Sequence, residues 1–420
     1  MTLQRQSTAW ALTGLQLGLS VFFFFHLSQV LPGGPDGPNY SQAPLWFNTM
    51  MAILFGLTVI MAMTALWKYE YTAFVLLLAI HTVCPILFFT DLTRNPYYTQ
   101  IALLNIWVTF LVIGWLWECI AKGALIFPKT VLNLPLLAFL CTVTISLLSS
   151  FFTHEKIFHP AMMSEWVRRW LFLVVNALSV FYIAYTVEEK WRWRFIWVTF
   201  WVAAAAAVYG LMQFYGVEQI WRKTLTPFAN RPVSTFGNPN FLSSYLMMVI
   251  PLLTVSTLNT RNATKSVFSL VFLVIVSAGM LATMTRSTWV GAFVSLALLP
   301  LSGNFRAMIR EQKNRLIATG LVLAGAVLFW PSSKMGGYKN PLDRLFELRE
   351  IKTKKVYHPW DQRLLIWSCS YSMIQDHIIL GKGWGLMELF YPYYQGPRMF
   401  NENFRPFRTH ANNSHNEMLE

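Results

Sequence analysis

Two arginines and a histidine stand out by type and setting. Arg231 lies in Asn230-Arg231-Pro232-Val233-Ser234-Thr235-Phe236-Gly237-Asn238-Pro239-Asn240, and Arg286 in Thr283-Met284-Thr285-Arg286-Ser287-Thr288-Trp289, between two apolar runs. A guanidinium stays charged and offers a planar fork of donors, so a pair of them can hold a diphosphate without a metal. His415 lies near the end of the sequence in His415-Asn416-Glu417-Met418-Leu419-Glu420. An imidazole with a pKa near neutrality suits removal of a proton from an attacking hydroxyl. Arg222, Lys223 and Arg363 are weaker phosphate candidates, and His410 is an understudy for His415. Each residue also has a plainer use when taken singly. An arginine there can snorkel into a headgroup layer, and a histidine can sit in a polar surface loop.

Other chemistries find little support. Metal-dependent sugar transferases gather carboxylates around Mg²⁺ or Mn²⁺. Here there is no Asp-x-Asp, and Asp36, Asp91, Asp343, Asp361 and Asp376 are scattered. The expectation is a metal-independent site with no cofactor. Cys84, Cys119, Cys141 and Cys369 form no CxxC or Cys/His pattern, and only Cys369 is expected to meet an oxidising compartment. Gly381-Lys382-Gly383-Trp384-Gly385 lacks the strand–helix setting of a dinucleotide fingerprint and reads as a turn. His26 and His81, two ionisable residues inside apolar runs, have no acidic neighbour in sequence and read as packing contacts.

The elements that must position these residues are membrane spans. Hydrophobic residues make up 55% of the 420-residue chain and charged residues 12%, about half the usual ~25% of soluble domains. Mean hydropathy is +0.43. The composition excludes a disordered chain, a disulfide-stapled secreted domain and an ordinary cytosolic enzyme. The predicted class is all-α, a polytopic membrane helix bundle. Eleven apolar runs are long enough to span: 9–31, 44–67, 71–90, 101–120, 131–152, 167–187, 195–216, 240–259, 267–285, 288–302 and 316–332. The first is too long for a signal-peptide core and lacks a small-x-small cleavage site.

With the N-terminus inside, the short inner loops carry thirteen Lys and Arg, among them Lys122, Arg194, Lys265, Arg306, Arg310 and Arg315, while the outer loops 32–43 and 91–100 hold only Arg94. The positive-inside rule fixes this orientation and accounts for most of the +14 net charge without nucleic acid. Loop 217–239 and Arg286 then face outward. Residues 1–332 form the transmembrane domain and 333–420 an outer segment with 12 basic and 9 acidic residues. A helix is expected after Asn340-Pro341. A second, amphipathic one opens at Asp361 with Leu364, Trp367, Tyr371, Ile374 and Ile378 on its apolar face. The aromatic run Phe390-Tyr391-Pro392-Tyr393-Tyr394 suits packing of this segment more readily than sugar stacking.

Three segments together resemble the bacterial O-antigen ligase and O-antigen polymerase superfamily over roughly the last half of the chain. They are Arg231 with Ser234-Thr235-Phe236-Gly237-Asn238-Pro239-Asn240, then Thr285-Arg286-Ser287-Thr288-Trp289-Val290-Gly291. The third runs from Arg363 and Trp367 through Asp376-His377 and Gly381–Gly385 to His415-Asn416-Glu417. Each is weakly specific alone; their order, spacing and shared outer location carry the resemblance.

It implies a GT-C-like membrane glycosyltransferase, metal-independent and inverting, of the bacterial inner membrane with a periplasmic active site. Such an enzyme moves a glycan from a polyprenyl (undecaprenyl) diphosphate carrier to an acceptor hydroxyl on a lipid A core, a glycan or a protein. By position, Arg231 and Arg286 correspond to the diphosphate-binding arginines and His415 to the catalytic histidine. Two departures stand out. Ile378 replaces the proline that often follows the Asp-His pair, and the sequence stops at Glu420 before the family's glycine motif and further spans, as expected of a truncated member. Two other classes compete: a transporter or flippase of a lipid-linked glycan or small anion, and a non-catalytic scaffold. A transporter predicts an inside-accessible polar path through the spans, which this sequence does not display.

Overall fold

The computed structural model describes residues 33–34, 37–38, 116, 119–124, 130–153, scattered positions between 167 and 178, 189–217, 231–236, 238–260, 262–328, 330, 359–387 and 390–395. Eight helices lie among them: α1 (Asn133–Thr153), α2 (Glu189–Phe214), α3 (Pro239–Asn259), α4 (Ala263–Ala282), α5 (Arg286–Leu298), α6 (Gly303–Glu311), α7 (Lys313–Leu328) and α8 (Pro359–Asp376). A two-residue antiparallel pair, β1 (Gly33–Gly34) and β2 (Gly37–Pro38), is the one extended feature among the described residues. The described chain is therefore helical, as its composition demands.

Among the described residues, four helical stretches are long and apolar enough to cross a membrane: Asn133–Phe152, Phe195–Phe214, Pro239–Asn259 and Ala263–Ala282. The predicted spans 131–152, 195–216, 240–259 and 267–285 coincide with them to within a few residues. The predicted span 288–302 becomes α5 with the 3-10 turn Leu299–Leu301, after which the chain bends by 92° into α6. Pro300 explains the break, since its ring removes a backbone donor and clashes with the preceding turn. Counting that bent pair as one crossing gives five. The predicted span 316–332 appears as α7, only 16 residues long. The first three predicted spans and most of the fourth lie outside the described residues, and 167–187 is described only in part.

The chain divides into two compact units, residues 1–107 with 186–348 and residues 108–185 with 349–420. In the first, α2, α3 and α4 pack around Phe200, Ala203, Ala207, Leu246, Leu253, Leu273 and Val276. Lipid chains are as apolar as leucine, so close backbone approach must supply the packing energy. The alanine run at 203–207 provides it. A Cβ added at Gly279 would stand 2.6 Å from the Ala207 Cβ and 2.9 Å from its Cα, so the two helices touch backbone to backbone. At the opposite end from the arginines, Ser266 Oγ donates to the Thr257 carbonyl (2.7 Å) and Arg315 Nη1 to the Thr260 carbonyl (2.9 Å). Arg315 thus caps the C-terminal end of α3.

The second unit packs α8 and the turn after it against α1. Leu147 meets Met373, Leu386 and Phe390, with Trp170 alongside, and Trp170 Nε1 donates to Thr144 Oγ1 (2.9 Å). Here one sequence expectation is corrected. The buried row of α8 is Leu365, Ile366, Cys369 and Met373, whereas Leu364, Trp367, Tyr371 and Ile378 are exposed. Apolar side chains surround the helix on nearly every side, so periodicity alone chose the wrong stripe. Cys369 is fully buried in that row rather than facing a compartment.

Candidate functional site

Arg231 is seated on the turn that carries Arg286. Its Nε donates to the Thr283 carbonyl (2.7 Å), and its Nη2 to Thr285 Oγ1 (2.7 Å) and Asn240 Oδ1 (3.1 Å). These three acceptors are neutral oxygens, and together they fix the orientation of the guanidinium plane. Segments more than 50 positions apart in sequence thereby meet at one end of the first unit.

The loop holding Arg231 is itself pinned from below. The Gln213 side chain, 1% exposed near the end of α2, accepts from the backbone N–H of Val233 (3.0 Å) and of Ser234 (2.8 Å) through Oε1. Ser234 Oγ donates to the Ala206 carbonyl (2.7 Å). These bonds hold Ser234 at φ +50°, a left-handed conformation that costs a non-glycine residue about 1–2 kcal/mol. Asn238 then caps α3, its side chain accepting from Asn240 N (2.8 Å), with Pro239 in the first turn. The cap starts α3 beside the arginine, and Asn240 in its first turn reaches back to it.

The Arg286 turn is also strained. Met284 sits at φ +55° and is 2% exposed among Phe214, Ala282 and Trp330. Its buried side chain holds the turn in a conformation that sequence alone does not favour. Arg286, half-buried, is the first residue of α5. The N-cap Thr285 makes no side-chain bond to the helix start; its hydroxyl accepts from Arg231 instead. A cation at a helix N-terminus is poorly placed against the dipole, whereas an anion there meets uncapped N–H groups. The end of α5 therefore combines two guanidinium-bearing segments with a helix start that favours negative charge.

The other predicted site residues distribute as follows. Arg363 is exposed on α8, in the second unit. Arg222, Lys223, His410 and His415 lie outside the described residues. The Gly381–Gly385 segment is the expected turn, with Gly381, Gly383 and Gly385 at φ +65°, +106° and +76°. Lys382 within it is 8% exposed, with its Nζ 4.8 Å from the centre of the Phe390 ring. Burial pulls its pKa below the ordinary lysine value, and the Asp376 charge partly offsets this. Among the described residues, no three His, Cys, Asp or Glu side chains gather closely enough to hold a metal ion. Sequence reasoning missed Gln213; its signal was a lone amide at the end of an otherwise apolar run.

A helical membrane protein with a basic, strained turn at one end of its bundle is the class this architecture defines. Residues 270–420 match the O-antigen ligase family, the same family that the three sequence segments resemble. At the level of the family, that match points to an enzyme of the glycan ligase or polymerase kind. The match includes Arg286, α8 and the His415 segment, and Arg231 precedes it. No curated protein and no solved structure matches the chain.

Proposed function

We propose that the protein transfers a glycan from a polyprenyl diphosphate carrier to an acceptor hydroxyl on the outer, periplasmic face of the bacterial inner membrane, inverting the anomeric centre without a metal ion. Arg231 and Arg286 bind the diphosphate and His415 is the general base. Residues 1–332 form the membrane domain and 333–420 the outer segment. Cleavage of the glycosyl–phosphate bond leaves negative charge on the departing diphosphate, and fixed cations aimed there stabilise that charge as it develops. His415 takes the acceptor proton while the acceptor oxygen attacks the opposite face of the sugar.

The observation that carries this reading is the anchoring of Arg231 to Thr283 and Thr285, one residue before Arg286. The up-and-down alternation of the spans, though not which end faces out, has support of its own. Helix ends assigned to the outside by the charge rule (Gln213, Asn240, Thr283) meet one another, and inside ends (Thr260, Arg315) do likewise. The segment assigned to the outside meets α1 at residues 147–151, its outer end by the same rule. The test is reconstituted transfer from a lipid-linked oligosaccharide by the complete protein. Arg286→Ala is expected to lose about 10²–10³-fold in rate, and His415→Ala about 10²–10⁴-fold, with normal membrane insertion. Wild-type rates in either variant contradict the assigned roles.

A further inference from the structure

The Asp376-His377 pair has no part in the reaction above, yet it lines a cavity of about 280 Å³ in the second unit. Ser149 and Ser150 of α1 form one wall, and Asp376, His377 and the turn Ile378–Gly381 the other. We propose that this cavity is a binding subsite for a single neutral sugar ring, with the Asp376 carboxylate as its principal hydrogen-bond acceptor.

The walls match that ligand in kind. A sugar hydroxyl both donates and accepts, and the walls carry a carboxylate, two serine hydroxyls and an imidazole. Ile378, Ile379 and Leu380 supply apolar surface for the C–H face of a ring. No Lys or Arg lines the cavity, and the Asp376 carboxylate in its wall disfavours a phosphate. A single carboxylate among hydroxyls also lacks the aromatic cage that an alkylammonium prefers. The volume lies just below the ~300 Å³ lower bound of common small-molecule sites, room for one ring and not for an oligosaccharide.

The cavity is also held in shape. Tyr394 Oη donates to Asp376 Oδ2 (2.7 Å), fixing the carboxylate. Burial and Asp376 itself push the Tyr394 phenol above its ordinary range, so it stays a donor. Ser150 Oγ donates to the Lys382 carbonyl, tying the turn to α1. A Cβ at Gly383 would stand 2.8 Å from Ser150 Oγ and 2.6 Å from Leu386 Cδ1, so glycine is what lets the turn lie this close. By the charge rule, residues 149–150 are at the outer end of α1, the side on which a carrier-linked glycan would be handled.

The choice of ligand rests on the transfer reading, but the binding does not, and the two can fail separately. The experiment is saturation-transfer NMR on the full-length protein in detergent, with the methyl glycosides of glucose, galactose and N-acetylglucosamine, and ethanolamine as contrast. At least one glycoside should show saturation of its ring protons. Asp376→Asn, which keeps an acceptor for Tyr394, should weaken that signal about tenfold, the worth of one charge-assisted hydrogen bond. Ser149→Phe, which fills the cavity from α1, should abolish it. Arg286→Ala should bind glycoside at wild-type strength even if transfer is lost. Absence of signal from every glycoside overturns the proposal, as does signal from ethanolamine alone or undiminished binding in both cavity variants.

Discussion

Two turns in this molecule reach left-handed backbone by opposite means. At 283–286 the positive φ belongs to Met284, a residue that resists it; at 381–385 it belongs to three glycines. The difference follows from what each turn must hold. Met284 is anchored among Phe214, Ala282 and Trp330, so its side chain offsets the strain and fixes the approach to Arg286. Gly383 has no side chain because Ser150 occupies the space where one would go. One turn is held by packing, the other by removing everything that could be packed.

Breaking the second turn should have the largest effect. Gly383→Val adds a Cβ where Ser150 and Leu386 already sit and forces a β-branched residue to φ +106°. Overpacking and backbone strain together should cost about 3–4 kcal/mol, read as lost folded yield or a much lower Tm in detergent. Next comes Arg231→Ala, which removes the short charge-assisted bonds to the Thr283 carbonyl and Thr285 hydroxyl and leaves them the longer bonds between the two threonines. A loss of about 2–3 kcal/mol is expected, and Arg231→Lys should not restore it, because an ammonium cannot span both acceptors in the same plane.

Met284→Gly sharpens the contrast. It relieves roughly 1–2 kcal/mol of strain and forfeits about 2–3 kcal/mol of buried side chain. A net destabilisation of about 1 kcal/mol should appear in thermal unfolding, whereas a gain in stability would mean that strain, not packing, governs that turn. The smallest effect concerns Lys382, whose pKa burial lowers. Below its folded pKa the lysine is charged in both states, and the fold bears the full burial cost. As pH rises from that value toward the unfolded 10.5, the unfolded chain holds more protons and stability increases. Lys382→Met should flatten that rise in unfolding measured across the alkaline range.

Much of this architecture is legible in residue order. The described span positions follow from apolar length, and the common end of Arg231 and Arg286 follows from the two spans that separate them in sequence. What escapes is side-chain detail. The buried stripe of α8 was misassigned because Leu364, Leu365, Ile366 and Trp367 are consecutive, which erases the helical period. Gln213 escaped because its role is to accept from two backbone N–H groups of a loop some twenty residues on. The 92° bend after Leu301 had a local signal in Pro300 and Gly303, yet a hydropathy window averages over it.

The central claim is that guanidinium groups at the outer end of α2–α5 hold a lipid diphosphate without a metal ion. Equilibrium binding of undecaprenyl diphosphate, against undecaprenyl monophosphate, to the complete protein in EDTA tests it most directly. The account predicts tight binding of the diphosphate in EDTA, weaker binding of the monophosphate, and at least a roughly tenfold loss in Arg286→Ala. Binding that vanishes in EDTA, or that Arg286→Ala leaves at full strength, would contradict it.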